Sequence, residues 1–314
     1  MVGEAYCRMA LPIRHNRSER SSLLTSSVRK GVILAAGYGT RFLPATKAAP
    51  KELFPLVDKP LIQYVVEEAV ASGLVQVIVV TTASKRALED HFDRQPDLER
   101  VLEAKGDEGC LREVRRLADL ADIAFVRQKE RRGIGHAVLA AQPFVGDEPF
   151  ALFFPDDIVF ADVPAIDQLI QVHERYGGSV LAAQRVPRED VVHYGIIQAR
   201  PVDDRLYEVL GIVEKPRVEE APSDLAAFGR YILEPEVFAV LAETPSGREG
   251  QLELTDGLAL LVERGHRLYA YECEGERHDT GRPLGLLKAS LAEALRRPDI
   301  GPELRDYLQS LDLG

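Results

Sequence analysis

The chain has 314 residues, 46% of them hydrophobic and 28% charged, an ordinary globular composition with enough apolar residues for a sizeable core. Its formal charge of −11 argues against nucleic acid as a partner, since coating a polyanion needs a basic face; any phosphate must be met by a local basic pocket. The longest uncharged stretch, 69–84, carries Ser, Gly, Gln and Thr and so excludes a membrane span, and three scattered cysteines form no disulfide framework or metal knuckle, which suits the cytoplasm.

Residues 1–27 stand apart. Together with Arg29 and Lys30 they hold six basic residues against Glu4 and Glu19, with five serines. No apolar stretch of signal-peptide length is present. The composition is also that of an organellar transit peptide, but it reads first as a solvated, disordered tail that joins no site. One domain is expected over residues 28–314. In it, strand-length apolar runs at 31–35, 75–81, 123–126 and 150–154 alternate with helical spacing at 61–72, 85–92, 97–117 and 133–142. Unbroken Val/Ile/Phe runs suit strands buried on both faces. Their alternation with helices predicts an α/β fold with a mainly parallel sheet covered on both sides. Past Pro155 the pattern loosens into a helix at 164–176, a strand at 179–186, and an antiparallel pair at 194–199 and 206–213. A strand at 228–233 and helices at 235–242, 254–265, 283–296 and 302–311 complete the chain. No Gly/Ser linker divides it, so the antiparallel part is an insertion in a single domain.

The first strand runs straight into Ala36-Gly37-Tyr38-Gly39-Thr40-Arg41. Ligands of open parallel sheets bind beyond the carboxyl ends of the strands, and glycines there let backbone N–H groups approach phosphate oxygens. Position 42 is Phe where the dinucleotide fingerprint needs a third glycine, and no GxxxxGK[ST] loop exists, so both familiar nucleotide loops fail. Between Arg29 and Lys59, however, six basic residues face two acidic ones. Pro44, Pro50 and Pro55 stiffen this segment, and a stiff loop carrying Arg41, Lys47 and Lys51 can clamp a polyphosphate.

These residues, with Leu43-Pro44-Ala45-Thr46-Lys47, Pro50-Lys51-Glu52 and Leu56-Val57-Asp58-Lys59-Pro60, resemble the sugar-1-phosphate nucleotidyltransferases. More closely, they resemble the bacterial UTP–glucose-1-phosphate uridylyltransferases, over residues 28–293. The resemblance implies a three-layer α/β/α, Rossmann-like fold with a mixed, mainly parallel sheet, a small antiparallel sugar-side insertion and C-terminal helices. It implies Arg41, Lys51 and Lys215 as the catalytic cations. Nucleotide contacts would come from Ala35, Ala36, Gly37, Gly39, Thr40, Lys47 and Glu52, in a homo-oligomer, dimer or tetramer.

Gln128 precedes Gly133-Ile134-Gly135-His136. An amide side chain can read a pyrimidine edge, which offers a donor and acceptors. In the family the matching Gln and Gly, here Gln128 and Gly133, read the uracil with backbone groups of Ala36 and Gly37. His136 is expected to pack at the helix start. Phe153-Phe154-Pro155-Asp156-Asp157 ends a buried strand, where two carboxylates are costly unless a cation binds, and Mg²⁺ takes one or two carboxylates plus substrate phosphates. The resemblance assigns Asp156 to that metal and, 123 positions on in His278-Asp279-Thr280-Gly281, Asp279 as well. Asp157 reads as a turn or cap residue. On the sugar side, Tyr194-Gly195, Val213-Glu214-Lys215-Pro216 and Phe228-Gly229-Arg230-Tyr231 match family stations in which Gly195, Glu214 and Gly229 hold the sugar and Lys215 its phosphate. In Gln251-Leu252-Glu253-Leu254-Thr255-Asp256 the Gln and Glu have changed places relative to the family's run, which puts contacts from that loop in doubt.

The expected reaction joins UTP and glucose 1-phosphate, with Mg²⁺, into UDP-glucose and pyrophosphate by in-line attack on the α-phosphorus. A thymidylyltransferase making dTDP-glucose is the alternative within the class, and the long charged stretch 97–117 counts against it. A non-catalytic sugar-nucleotide sensor would have lost the metal carboxylates or Lys51, and a nicotinamide oxidoreductase lacks its third glycine.

Overall fold

The computed structural model describes residues 26–247 and 250–312, so residues 1–25 of the expected tail lie outside the described residues. The first half builds the part that carries the Gly-rich loop. Strand β1 (Lys30–Leu34) leads through three single 3-10 turns, Thr40–Phe42, Ala45–Lys47 and Lys51–Leu53, to the hairpin β2 (Pro55–Leu56) and β3 (Lys59–Pro60). Then follow α1 (Leu61–Ala71), β4 (Gln76–Thr81), α2 (Ala87–Phe92), α3 (Pro96–Lys105), α4 (Glu108–Ala118), β5 (Asp122–Arg127), α5 (Ile134–Val145) and β6 (Phe150–Phe153). The second half adds β7 (Asp157–Phe160), α6 (Ala165–Tyr176), β8 (Ser179–Arg185), β9 (Gly195–Asp203), β10 (Leu206–Glu214) and β11 (Leu225–Leu233). It ends with α7 (Glu236–Glu243), α8 (Leu254–Glu263), β12 (Leu268–Glu272), β13 (Glu276–Asp279), α9 (Pro283–Arg296) and α10 (Gly301–Ser310).

Nine strands form one mixed sheet in the order β5-β4-β1-β6-β11-β8-β12-β10-β9. The pairings make β10 and β11 the two reversed strands, and the other seven run the same way. The sheet is therefore mainly parallel. Period-2 alternation explains why its central strands read as unbroken apolar runs. On β1 and β4, Val32, Ile78 and Val80 point into the core under α5, α7 and α8, whereas Ile33, Val77 and Val79 point into the core under α1 and α6. Phe150 stacks on Phe238 of α7 with centroids 5.1 Å apart, a pairing that adds roughly 0.5–1.5 kcal/mol to its area burial. Beside the edge, Val186, Val191, Ile196, Ala221 and Ala226 make a small separate core beneath the antiparallel insertion.

The stretch 97–117, expected as one helix, is two. Gly106 takes a left-handed conformation at φ 70° and stops α3, and the Asp107 carboxylate accepts a hydrogen bond from the Cys110 N–H at 3.0 Å to start α4. No described helix is long and apolar enough to cross a membrane.

Candidate active site

The Gly-rich loop leaves β1 at the carboxyl edge of the sheet, with the Ala35 N–H still bonded to the Val80 carbonyl at 2.8 Å. Ala36 is buried, Gly37 and Thr40 are exposed, and a methyl group on Gly37 would meet nothing within 4 Å, so its backbone faces open space. Gly39 turns the chain in the left-handed region at φ 68°, packed against Thr46 and Lys51, while the Thr46 hydroxyl donates to the Gly39 carbonyl at 2.9 Å. The 3-10 turns then present Arg41 and Lys47 to solvent and carry Lys51 inward. Three cations and a set of glycine amides thus surround one edge of the sheet.

Lys51 Nζ lies 2.6 Å from Asp156 Oδ2. Burial works against charge on both groups, yet the pair outweighs it: the Lys51 pKa is raised and that of Asp156 lowered. Asp279 reaches the same place through strand pairing. β7 and β13 form a short antiparallel ribbon with Asp157 opposite Asp279, and Thr280 fastens it by donating its N–H and its hydroxyl to the Asp156 carbonyl at 2.7 and 2.8 Å. Three of the expected site side chains converge on Gly281. A Cβ there would stand 2.9 Å from Asp156 Oδ2, 3.0 Å from Asp279 Oδ1 and 3.6 Å from Arg41 Nη1. Gly281→Ala should therefore push the two carboxylates apart at little expense in stability, because both can swing. The expected loss in kcat is on the order of 10², read by steady-state kinetics beside a nearly unchanged Tm.

Asp157 is no turn or cap residue. It opens β7, buried, and accepts from Arg277 Nε at 2.6 Å and from the Gly229 N–H at 2.8 Å. Burial works against the Arg277 charge, but Asp157, Tyr194 and Asp279 together outweigh it and the Arg277 pKa is raised. The Arg277 guanidinium also lies 5.3 Å from the Tyr194 ring and 5.2 Å from the Phe228 ring, so one side chain joins the Asp156–Asp157 corner to the side that carries Tyr194.

That side is assembled by the β9–β10 register, which sets Gly195 opposite Glu214. Glu214 Oε1 lies 2.6 Å from Lys215 Nζ, and Oε2 accepts from the Thr255 hydroxyl at 2.9 Å. Lys215 holds a left-handed backbone at φ 44°, unusual for a side chain with a Cβ, with its N–H donated to the Tyr194 carbonyl at 2.9 Å.

Two assigned residues do not join the surface of the site. Glu52 is buried at 1% exposure with both oxygens taken by Lys85 Nζ at 2.7 and 2.8 Å, so it anchors the turn that carries Lys51. Gly229 is enclosed: a Cβ would approach Phe154 Cβ to 2.4 Å and Asp157 Oδ2 to 2.6 Å, which makes it a packing requirement. Gln128, buried beyond β5, donates Nε2 to the Gly133 carbonyl at 3.2 Å and contacts His136 Nδ1 at 3.0 Å, so His136 sits at the helix start as expected. Gly133 has φ 100°, and a Cβ there would strike the Leu252 carbonyl at 2.4 Å. The loop with the exchanged Gln and Glu thus contributes through the Leu252 backbone and Thr255, while Gln251 is exposed. Thr255, Arg277 and Thr280 were missed. Thr255 belongs to a run already marked by its motif, but nothing in the sequence singles out Arg277.

The chain matches the Nucleotidyl transferase family over residues 30–295. It is 47% identical over 286 residues to a UTP–glucose-1-phosphate uridylyltransferase of Staphylococcus epidermidis, covering 91% of this chain and 99% of the relative. It is 48% identical over 284 residues to the protein of that name from Bacillus subtilis (strain 168), covering 90% and 97%. The structure of a UTP-bound UGPase from Acinetobacter baumannii superposes with a TM-score of 0.84 at 36% identity, covering 91% of this chain and all of that one. With its strand-end loop, its cation cluster and this likeness along nearly the whole length, the chain belongs to the nucleotidyl transferase family, in the branch of the bacterial UTP–glucose-1-phosphate uridylyltransferases.

Proposed function

We propose that the chain transfers the uridylyl group of UTP to glucose 1-phosphate, releasing pyrophosphate. The observation that carries this reading is the convergence of Arg41, Lys51, Asp156 and Asp279 around Gly281 at the carboxyl end of the sheet. Both reactants are anions, so the protein has to position them and neutralise charge, and no protein nucleophile is called for. Arg41 and Lys51 hold the β- and γ-phosphates of UTP, with Lys47 beside them. Lys215 holds the phosphate of the sugar, and Glu214 accepts hydrogen bonds from sugar hydroxyls. Gln128 and the Gly37 backbone face the base. The likeness to uridylyltransferases at 47–48% identity favours UTP over dTTP.

The donor set fits Mg²⁺: two hard carboxylates, no sulfur or imidazole, and a glycine between them that leaves room. When bound there, Mg²⁺ supplies charge neutralisation at the α-phosphate. Lys51 keeps Asp156 ionised and ready for that role.

Pyrophosphate release from a panel of nucleoside triphosphates and sugar 1-phosphates tests the reading. UTP with glucose 1-phosphate should be the best pair, and comparable turnover with ATP or GTP would refute the base assignment. Glu214→Ala should raise KM for glucose 1-phosphate while UTP binding is nearly kept. Unmade sugar hydrogen bonds cost about 1–3 kcal/mol each, or roughly 5- to 150-fold. Loss of UTP binding instead would mean that Glu214 lies on the nucleotide side.

A further inference from the structure

Arg131 takes no part in the reaction as described above. It lies three residues past Gln128, in the loop that enters α5. Its guanidinium spans the carboxyl ends of the neighbouring strands β1 and β4: Nε donates to the Ala36 carbonyl at 2.8 Å and Nη2 to the Thr82 hydroxyl at 3.0 Å. The same group lies 3.7 Å from the centroid of the exposed Tyr38 ring. One side chain from the third loop therefore ties the ends of two strands to the Gly-rich turn.

The carboxyl ends of the strands are where open α/β sheets take their ligands. A uracil ring presents one N–H donor between two carbonyl acceptors, and that donor needs an acceptor from the protein. The Ala36 carbonyl is such an acceptor, and Arg131 is bonded to it. A guanidinium carries donors and no acceptor, so it can compete for this carbonyl but cannot replace it for the base. Neither strand end depends on the bridge. The Ala35 N–H is held by the Val80 carbonyl and the Gln128 N–H by the Thr81 carbonyl, each at 2.8 Å. Arg131, half-buried on its loop, is free to swing away without loosening β1, β4 or β5.

We propose that Arg131 sets the nucleotide affinity of this site: it competes with the base for the Ala36 carbonyl, and a uridine base seats against Ala36 only after the guanidinium has left. This rests on the reading of the nucleotide side given above. The competition lowers apparent affinity in proportion to the fraction of molecules whose carbonyl is free, and it acts on binding, leaving the chemical step alone. It also biases these strand ends against accidental occupants, since a ligand must supply enough contact energy elsewhere to displace an arginine held at three points.

The test compares UTP binding by calorimetry, and steady-state kinetics, for the unaltered chain, Arg131→Ala and Arg131→Lys. Arg131→Ala should lower both Kd and KM for UTP by about tenfold, with kcat and KM for glucose 1-phosphate moving less than about twofold. Arg131→Lys, a point donor that cannot reach Ala36 and Thr82 together, should fall between. Unchanged or weaker UTP binding in Arg131→Ala would overturn the proposal, the weaker case marking Arg131 as a direct contact of the nucleotide. If the unaltered chain binds UTP but releases no pyrophosphate, the reaction assignment fails alone, because tighter binding by Arg131→Ala still upholds the competition. An unaltered chain that binds no UTP overturns both.

Discussion

Asp156→Asn should cut kcat by about 10² to 10³ at saturating Mg²⁺, the usual effect of losing roughly 3–4 kcal/mol of transition-state electrostatics. Two effects combine in it. The substitution removes a carboxylate from the pocket around Gly281, and it deprives Lys51 of its 2.6 Å partner, so the lysine is no longer aimed. With two carboxylates and a net charge of −11, the protein would repel a nucleoside triphosphate if no divalent ion stood between them. Activity should therefore vanish in excess chelator and return with Mg²⁺. Asp279→Asn should lose less, since water can replace its oxygen. Initial rates for both variants across a Mg²⁺ series decide the matter: turnover in excess chelator, or a near-normal Asp156→Asn enzyme, would refute the metal assignment.

Asp157→Asn, one residue along, should act on stability first. Asp157 is buried, and its two oxygens satisfy Arg277 and the Gly229 N–H. Neutralising it leaves the largely buried Arg277 charge without its partner, a change that costs about 3–5 kcal/mol. For a chain of this size the Tm should drop by roughly 5–8 °C. Thermal unfolding followed by circular dichroism checks this directly, and a Tm within a degree or two of the unaltered chain would show that Arg277 finds other support. Because Arg277 also lies against Tyr194, the surviving activity should show a raised KM for glucose 1-phosphate.

Much of this architecture is legible in the sequence because its causes are local. The four parallel strands of the first half are continuous Val/Ile/Phe runs, as burial on both faces requires, and each appears within a residue or two of its expected place. The Gly-rich turn, its stiffened basic segment and the Glu214–Lys215 pair announce themselves by composition and motif. What escapes is set by register and burial. β13, Glu276-Arg277-His278-Asp279, has no apolar run and is a strand only because β7 pairs with it. Glu52 looks like a loop carboxylate and turns inward because Lys85, far along the chain, needs a buried partner. Asp157 and Asp156 are chemically alike in the sequence, and only the fold separates the one that braces the molecule from the one that faces Lys51 and Gly281. Arg131 resembles its charged neighbours until Ala36, Thr82 and Tyr38 are seen beside it.

The ribbon of β7 and β13 gives the chain a timetable. Asp156 waits for Asp279, which is synthesised 123 residues later and near the end of the molecule. A nascent chain can complete the Gly-rich turn, the basic clamp and the whole parallel half of the sheet while still lacking its second carboxylate and the Thr280 fastening. The pocket around Gly281 is thus closed only when the chain is nearly complete. A chain that stops short of Asp279 has the basic clamp but not the finished pocket around Gly281.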